Sequence, residues 1–496
     1  MALPDLDWPA EATKISVPEG QFVDGTWIAG DGAPPLVVTS PRDGRMVAEL
    51  PQASASDIDR AVAAARRAFD DGPWPRLPAR ERAAYLLRLA DLVERDRARL
   101  ALLIALEMGK PIGTAHDIEL RAIITTLRWY AELADKQTGE IPQNDPGALS
   151  LITREPAGVV AAVVPWNFPL TITGWKIAPA LAVGCTVVLK PSEFSPLSGL
   201  ALAALADEAG FPPGVFNVVV GDGPLAGRTL GEHPGVDVLT FTGSTAVGRE
   251  FLRYSAGSNL KRVWLELGGK SANIVLPDAP DRDAAAQSAA WAVLFNSGEM
   301  CTAGSRLLVH ESIAEDFTER VLAAAAEWRP ADPLDPSTRL GPLVREAHLQ
   351  RVAAMVERAS AQGGRLRTGG ERVLPDSGGS YFAPTVFDNV DRGSELATSE
   401  VFGPVLAVLP FRDEQDAIAL ANATDYGLAA AVWTSDLSTA HRMSRALRAG
   451  TVWVNCYEEG DTSVPFGGVK HSGNGRDKSA HALDKFSDLK TTWIQL

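Results

Sequence analysis

The sequence predicts an α/β protein with two parallel β-sheets, and three observations support this fold class. Residues 158–241 alternate short apolar runs with helical segments, and residues 271–466 repeat the alternation. The runs are continuously apolar, which is typical of strands covered on both faces of a parallel sheet. Because such sheets bind ligands at the carboxyl ends of their strands, the loops after the strands are the first places to search for a site.

The first 157 residues are expected to be mainly helical after a short hairpin. The hairpin is expected at 22–28, where Asp24-Gly25 separates two apolar stretches. Ser56 is expected to cap a helix in which apolar residues recur at helical spacing. Two longer helical regions are expected at 80–108 and 118–139.

The two alternating regions supply the sheets. In the first region we expect strands at 158–164, 185–189, 215–220 and 236–241, with helices at 178–183, 195–209 and from Ser244. In the second region we expect strands at 271–276, 306–309 and 451–455, with helices at 313–328 and 337–363.

Two segments are expected to serve self-association. Residues 486–494 form a partly apolar strand near the end of the chain, and such a strand needs a partner edge. We expect it to pair outside its own domain, across a subunit interface, and the stretch 139–154 can do the same. The expected assembly is a homodimer or a homotetramer.

Composition narrows the functional classes. The 496 residues are 46% hydrophobic, enough for two or three domains with an ample core. A net charge of −15 disfavours nucleic-acid binding, and the sequence has neither a signal-peptide pattern nor an apolar run of about 20 residues. Three cysteines argue against a disulfide framework, and seven histidines show no metal-ligand spacing, so we expect a cytoplasmic protein without membrane, nucleic-acid or metal partners.

Three polar residues in unusual segments suggest covalent attack on a carbonyl group. Cys301 supplies a thiol, Glu266 a carboxylate and Asn167 an amide, which suit a nucleophile, a base and a donor to the oxyanion. Each has a plainer reading when taken alone. Cys301 can be a small core residue, Glu266 a structural carboxylate, and Asn167 a turn residue between two prolines.

Two glycine turns suggest a nucleotide site. Residues 243–248 follow a strand and open a helix, where backbone N–H groups bind phosphate well. The turn is not a Walker A loop, because Arg249-Glu250 replaces the Lys-Ser/Thr pair. Residues 221–227, which include Gly223, match the dinucleotide fingerprint only in part, and either turn can be purely structural.

The segment Lys190-Pro191-Ser192-Glu193 closes the strand predicted at 185–189. Glu193 can accept hydrogen bonds from both ribose hydroxyls and would repel a 2′-phosphate, which favours NAD over NADP. Lys190 would soften this exclusion. The alternative is a polar loop with a solvated charge pair.

Together these motifs resemble the aldehyde dehydrogenase superfamily over nearly the whole chain. The resemblance rests on Cys301 and on residues 165–169, 190–193, 241–244, 266–270, 400–404 and 465–468. It implies that Cys301 attacks the aldehyde, that Asn167 and the Cys301 N–H hold the oxyanion, and that Glu266 is the general base. The implied product is a carboxylic acid, formed by hydride transfer to NAD and hydrolysis of a thioester.

The resemblance also implies a cofactor site and a division into domains. The implied cofactor residues are Trp166, Lys190, Ser192, Glu193, Gly223, Phe241, Gly243, Ser244, Val247, Leu267, Glu400 and Phe402. The implied architecture is a Rossmann-like NAD-binding domain (1–136 and 155–266), a second α/β catalytic domain (267–465) and a small β oligomerisation extension (137–154 and 480–496). One departure is Glu299, which stands where many family members have Gln. It either raises the Cys301 pKa by facing the site or points to solvent.

The C-terminal segments 464–479 and 488–493 resemble the γ-glutamyl-γ-aminobutyraldehyde dehydrogenase group, whose members act in polyamine and ω-amino aldehyde catabolism. Residues 457–461 carry three carboxylates, among them Glu458 and Asp461, which suit a cationic substrate tail. The alternative is an acidic surface turn. The apolar pocket wall is expected to consist of Phe168, Ile172, Trp175 and Phe466.

Three other functions stay open at this level. A broad-specificity aliphatic or hydroxyaldehyde dehydrogenase would share every motif above. A CoA-acylating semialdehyde dehydrogenase is disfavoured, because relatives of that type generally lack the glutamate at the position of Glu266. A non-enzymatic scaffold on the same fold need not keep the thiol, the base and the oxyanion donor together.

Overall fold

The computed structural model describes residues 3–30 and 34–496, and within these ranges it has the expected α/β architecture. The strands are β1 (Gln21–Val23), β2 (Thr26–Ile28), β3 (Leu36–Thr39), β4 (Met46–Leu50), β5 (Ala148–Pro156), β6 (Val159–Val163), β7 (Thr186–Lys190), β8 (Phe216–Val218), β9 (Val238–Thr242), β10 (Arg262–Glu266), β11 (Ala272–Val275), β12 (Arg306–His310), β13 (Arg365–Thr368), β14 (Thr385–Asp388), β15 (Val405–Phe411), β16 (Ala429–Trp433), β17 (Thr451–Val454) and β18 (Ser487–Gln495).

The α-helices lie mainly between these strands. They are α1 (Trp8–Ala12), α2 (Ala55–Asp70), α3 (Ala79–Arg95), α4 (Arg97–Met108), α5 (Ile112–Thr114), α6 (Leu120–Leu133), α7 (Pro169–Val183), α8 (Leu197–Glu208), α9 (Arg228–Glu232), α10 (Thr245–Ala256), α11 (Arg282–Leu294), α12 (Ala314–Ala325), α13 (Glu346–Ala361), α14 (Glu395–Thr398), α15 (Glu414–Asn422) and α16 (Leu437–Ala446). None of the helices in the described ranges is long and apolar enough to cross a membrane.

The first large sheet has the strand order β10-β9-β6-β7-β8-β1-β2. Strands β6 to β10 are parallel, and β6 is buried at every position, which explains its continuous apolar run. The predicted hairpin β1–β2 is confirmed and adds antiparallel strands at one edge. Asp24 and Gly25 both have left-handed φ angles, 55° and 72°, as a tight two-residue hairpin turn requires.

The second large sheet has the order β13-β14-β15-β12-β11-β16-β17 and is parallel except at β13. Cys301 precedes β12 and Glu400 precedes β15, so both lie at the amino ends of their strands. Glu266 ends β10 in the first sheet. The Gly269 N–H, three residues after β10, donates to Glu400 Oε1 at 3.0 Å. The carboxyl end of the first sheet therefore meets the amino end of the second.

Two helix predictions in the N-terminal half were wrong in detail. Ser54, not Ser56, caps α2: its Oγ accepts from Asp57 N at 3.2 Å, and Asp57 accepts from Ser54 N at 2.8 Å. This reciprocal capping box fixes the start of the helix two residues earlier than expected. The region 80–108 is divided at Asp96 into α3 and α4, where the backbone leaves the helical conformation (φ −92°, ψ 14°) and the Asp96 side chain pairs with Arg95 and Arg99.

Two other helices are shorter than expected. The region 118–139 begins within a π-helical turn (Ala115–Glu119) and its α-helix ends at Leu133. Residues 337–345 are not helical, and α13 begins only at Glu346. Gly341-Pro342 explains the second difference, since proline lacks an N–H and disfavours helix in the preceding residue.

The terminal strand finds its partner edge in the same chain. Strand β18 pairs antiparallel with β5 along its whole length, from Ser487 opposite Pro156 to Gln495 opposite Ala148. One edge of β18 is thus paired with the other segment named for self-association, and pairing across a subunit interface stays a prediction. Leu489 and Trp493 on β18 remain more than half exposed.

Candidate active site

The polar residues singled out in the first sheet follow the carboxyl ends of neighbouring parallel strands. Strand β6 leads to Trp166 and Asn167, β7 ends at Lys190, β9 leads to Ser244, and β10 ends at Glu266. These strands are adjacent in the order β10-β9-β6-β7, so their last residues lie side by side. The topology thus gathers groups that are about 100 residues apart in sequence.

Cys301 lies just after a strained turn. Asn296, Ser297 and Gly298 have successive left-handed φ angles of 52°, 58° and 72°. Non-glycine residues rarely adopt this conformation, and such strain is often stored at functional sites. The turn reverses the chain after α11 and leaves the thiol at the wall of a cavity of about 640 Å³.

The environment of Cys301 keeps its thiol protonated. Burial raises the pKa of this thiol well above its usual value, and the carboxylates of Glu458, Glu400 and Glu266 raise it further. A thiol is a poor nucleophile compared with a thiolate. The protein must therefore provide a proton acceptor when the nucleophile is used.

Glu266 is suited to accept that proton. It lines the same cavity, and among the described residues neither of its buried carboxylate oxygens has a hydrogen-bond partner. Burial and the nearby charge of Asp477 raise its pKa well above the usual value. Its Oε1 lies so close to the backbone that a Cβ at Gly467 or Gly475 would approach it to 2.6 or 2.9 Å, which explains both glycines. A carboxylate with a raised pKa is a stronger base.

Asn167 is buried and held against the segment before the nucleophile. Its Nδ2 donates to the backbone oxygen of Glu299 at 2.9 Å, and its own backbone oxygen accepts from Asn296 Nδ2 at 3.2 Å. An amide nitrogen carries two N–H groups, so one remains for an oxyanion.

Glu299 fits neither expectation for it. It is fully buried rather than solvated, and its Oε1 accepts from Val344 N at 2.9 Å, with His348 Nε2 at 3.5 Å. The carboxylates that raise the Cys301 pKa are those of Glu458, Glu400 and Glu266. Burial raises the pKa of Glu299 itself, against the opposing effects of the Val344 N–H and the charges of Lys110 and Arg351.

The loop after β7 has the polar groups that a ribose needs. Lys190 Nζ lies 3.2 Å from Glu193 Oε2, and the Glu193 side chain is partly exposed. Ser192 Oγ accepts from Phe194 N at 3.2 Å and stabilises the turn. Carboxylate and ammonium groups at this position can accept from and donate to sugar hydroxyls.

Helix α10 presents its amino terminus to the same edge. Ser244 is its N-cap and accepts from Val247 N at 3.3 Å, while the other N–H groups of the first turn have no partner within the helix. Gly243 lies over the Phe241 ring, and Gly248 packs so closely on Leu267 that a Cβ would approach it to 2.8 Å. This surface fits a phosphate group.

Glu400, Phe402 and Trp166 form a third group beside Cys301. Burial raises the pKa of Glu400 to about 7, and its Oε1 accepts from Gly269 N. Phe402 has a left-handed φ of 59°, and its ring packs edge-on against Trp166, with 5.4 Å between the ring centres. With the loop after β7 and the start of α10, these residues offer the donor set that a dinucleotide requires. Gly223 follows β8, the neighbour of β7 in the sheet, and begins a π-helical turn with open space beside it.

The cavity beside Cys301 contains every apolar wall residue that the sequence predicted. These are Phe168, Ile172, Trp175 and Phe466. Sequence reasoning missed Trp291 and Phe295, which stack at 4.6 Å and also line the cavity. Their spacing, i and i+4 at the end of α11, resembles an ordinary core stripe, so no local signal distinguished them.

The two acidic residues expected at the cavity differ in placement. Glu458 lines it, has a left-handed φ of 60°, and among the described residues its buried Oε2 has no hydrogen-bond partner. Asp461 is exposed, is not among the residues that line the cavity, and accepts from Ser463 N at 2.8 Å. Arg121, which sequence reasoning also missed, lines the cavity as an exposed cation.

A parallel-sheet fold that brings together a thiol, a carboxylate and a dinucleotide-like donor set is typical of an oxidoreductase. Residues 27–492 match the aldehyde dehydrogenase family, and the chain belongs to this family. It is an NAD(P)-dependent aldehyde dehydrogenase.

The similar proteins span nearly the whole chain. The NADP/NAD-dependent aldehyde dehydrogenase PuuC of Escherichia coli K12 is 47% identical over 489 residues, covering 99% of this chain and 98% of that protein. The solved γ-glutamyl-γ-aminobutyraldehyde dehydrogenase of Burkholderia cenocepacia is 52% identical with a TM-score of 0.97, covering 99% of both chains. An indole-3-acetaldehyde dehydrogenase of P. syringae, solved as a mutant with NAD⁺ and IAA, is 48% identical with a TM-score of 0.98, again over 99% of both chains.

Proposed function

We propose that this protein oxidises an ω-amino aldehyde, or its γ-glutamylamino form, to the carboxylic acid in polyamine catabolism. The observation that carries the proposal is Glu458, whose buried and unpaired Oε2 belongs to a residue lining the same cavity as Cys301. A buried carboxylate oxygen without a hydrogen-bond partner is costly unless a ligand satisfies it. A cationic substrate tail would do so, and the name of the B. cenocepacia relative supports this substrate class.

The reaction follows from the roles proposed for the chain's own groups. Glu266 accepts the thiol proton, directly or through water, and Cys301 Sγ bonds to the aldehyde carbon to give a thiohemiacetal. Asn167 Nδ2 and the Cys301 N–H donate to the oxygen, which carries negative charge until the C=O bond re-forms. When bound, NAD supplies the acceptor for the hydride that leaves this carbon, so the aldehyde is oxidised to a thioester. Glu266 then releases the first proton to solvent and accepts a second one from water, whose oxygen bonds to the thioester carbon. The C–S bond breaks, the carboxylic acid leaves, and Glu266 returns its proton to the Cys301 thiolate.

The cofactor is proposed to lie along the three groups described above. Glu193 and Lys190 would bind the adenosine ribose, Ser244 and the start of α10 the phosphates, and Glu400 the second ribose. The surface beneath the cofactor would be formed by Phe241, Gly243, Val247 and Leu267. The nicotinamide would be bordered by Phe402 and Trp166, and Ser192 would hold the loop after β7. Gly223, in the turn after β8, would border the same site from the next strand end.

Arg121 favours the γ-glutamylamino form as a second candidate substrate. That molecule ends in an amino acid group, with both an ammonium and a carboxylate, whereas a simple amino aldehyde carries only the ammonium. An exposed guanidinium at the cavity can pair with a carboxylate. A two-fold or larger loss of kcat/KM in Arg121→Gln, confined to the γ-glutamylamino aldehyde, would support this choice.

The test is NADH formation with a set of aldehydes of matched length. Cationic aldehydes should give a several-fold higher kcat/KM than neutral ones, because Glu458 attracts the charge. Equal use of neutral aldehydes would leave a broad-specificity dehydrogenase as the better description. We also propose that the chain forms a homodimer or a homotetramer through the β5–β18 sheet, since Leu489 and Trp493 on it are exposed.

A further inference from the structure

A buried ion pair far from Cys301 in sequence belongs to none of the roles above. Lys110 follows α4, Glu119 ends the π-helical turn, and Lys110 Nζ bonds Glu119 Oε2 with both side chains fully buried. π-Helical turns are rare and are frequent at functional sites. A buried ion pair is weak evidence for stability by itself, so its other contacts indicate its purpose.

The lysine contacts the segment that carries the oxyanion donor. Its Nζ donates to the backbone oxygen of Asn167 at 3.0 Å and lies 3.8 Å from the centre of the Phe168 ring. One cation thus holds the main chain of the proposed oxyanion donor and the face of a cavity-lining ring.

The glutamate holds the next residues. Glu119 Oε1 accepts from Leu170 N at 3.0 Å and from Thr171 N at 2.9 Å, two N–H groups in the first turn of α7. The N-cap residue of this helix, Phe168, has no side chain that can cap it. Glu119 therefore replaces the missing cap and fixes where α7 begins.

We propose that Lys110 and Glu119 are positioning residues for Asn167 and Phe168. The inference rests on the proposed role of Asn167 as the oxyanion donor. With its backbone oxygen held by Lys110 and its side chain held by Glu299, Asn167 has one free N–H in a set direction. A displacement of about 1 Å at such a group can cost about 10²-fold in rate.

The test is the double variant Lys110→Met/Glu119→Gln. Replacing both partners leaves no unpaired buried charge, and the glutamine oxygen can still accept from Leu170 and Thr171. The bond from Lys110 to the Asn167 carbonyl is lost, and only the longer bond from Asn296 Nδ2, at 3.2 Å, remains. We expect kcat to fall by about 10- to 100-fold, with NAD affinity and thermal unfolding close to wild type.

Lys261→Met is the matched control, because Lys261 is a buried lysine that donates instead to Gly231 O and Ser258 Oγ. It should leave kcat unchanged, and an equal loss there would overturn the inference. When the double variant is combined with Asn167→Ala, kcat should fall by less than about two-fold below that of Asn167→Ala alone, because the pair acts through Asn167. A full additional loss, or a wild-type kcat for the double variant, would also overturn it. A wild-type rate for Asn167→Ala alone would instead reject the proposed function of Asn167.

Discussion

The two sides of Cys301 are built from different kinds of contact. On the side proposed for the cofactor, polar side chains are tied to the backbone at strand ends and helix starts, as in Gly269 N to Glu400 and Val247 N to Ser244. On the side of the cavity, aromatic rings lie beside Glu266 and Glu458, which both have buried carboxylate oxygens without a hydrogen-bond partner among the described residues. The difference indicates that the chemistry depends on backbone geometry, whereas substrate choice depends on a few side chains that can change without changing the fold.

Loss of the Cys301 thiol, which lies between the two sides, should lower the rate of aldehyde oxidation more than any other substitution below. Cys301→Ala should abolish aldehyde oxidation, because no covalent intermediate can form, while NAD binding measured by titration persists. Cys456→Ala is the matched control, since Cys456 is a partly exposed free cysteine that is not among the residues lining the cavity. Activity within a few-fold of wild type in Cys301→Ala would remove this residue from its role.

Glu266→Gln should slow turnover by about 10²–10⁴-fold, the usual contribution of a general base. The carboxamide keeps the shape and cannot accept a proton. If the loss falls mainly on thioester hydrolysis, rapid mixing should show a burst of NADH followed by a slow steady rate. An unchanged steady rate without a burst would count against Glu266 as the base.

Asn167→Ala should lower kcat by about 10²–10³-fold, the usual cost of removing one oxyanion donor. Its buried amide also bonds Glu299 O, so thermal unfolding must be recorded beside the rate. A stable variant with a wild-type rate would show that the oxyanion is held elsewhere.

On the cofactor side, Glu193→Gln should change the choice of dinucleotide rather than the chemistry. A hydrogen bond to a charged group contributes about 1.5–3 kcal/mol, so the kcat/KM ratio of NAD over NADP should fall about tenfold or more. The ratio is read from initial rates with each cofactor. Wild-type preference for NADP would show that Lys190, not Glu193, governs this position.

The strand-end positions of the proposed cofactor and base residues could be predicted from the sequence, because the evidence for them is local. Continuous apolar runs predict strands that end at or just before Lys190, Ser244 and Glu266, and the structure has these strand ends. Helix boundaries were less accurate, because capping by Ser54 and the break at Pro342 compete with helical periodicity.

The cavity side could be predicted only in part. Trp291 and Phe295 have the spacing of core residues, and only tertiary packing turns them toward the cavity. Glu458 and Asp461 are equally acidic in sequence, but the left-handed backbone at Glu458 directs only that side chain inward. The Lys110–Glu119 pair gave no signal at all, since its partners lie about 50 residues away in the chain.

The proposed substrate preference depends most directly on the charge of Glu458 and the charge of the substrate. Burial raises the pKa of Glu458 to about 7, and a hydrogen bond from Thr302 and the charge of Lys478 oppose the shift, so the carboxylate is charged above that pH and neutral below it. Two aldehydes of equal shape separate charge from size: 4-trimethylaminobutyraldehyde and its neutral isostere 5,5-dimethylhexanal. The decisive quantity is the ratio of their kcat/KM values, measured about one unit above and one unit below that pKa.

For wild type and the control Asp461→Asn, we predict a several-fold preference for the cation at the higher pH. The preference should shrink at the lower pH and at high salt, as expected for a net interaction of about 1 kcal/mol. In Glu458→Gln it should disappear at both pH values. A ratio near one in wild type, or a preference that survives Glu458→Gln, would contradict the account.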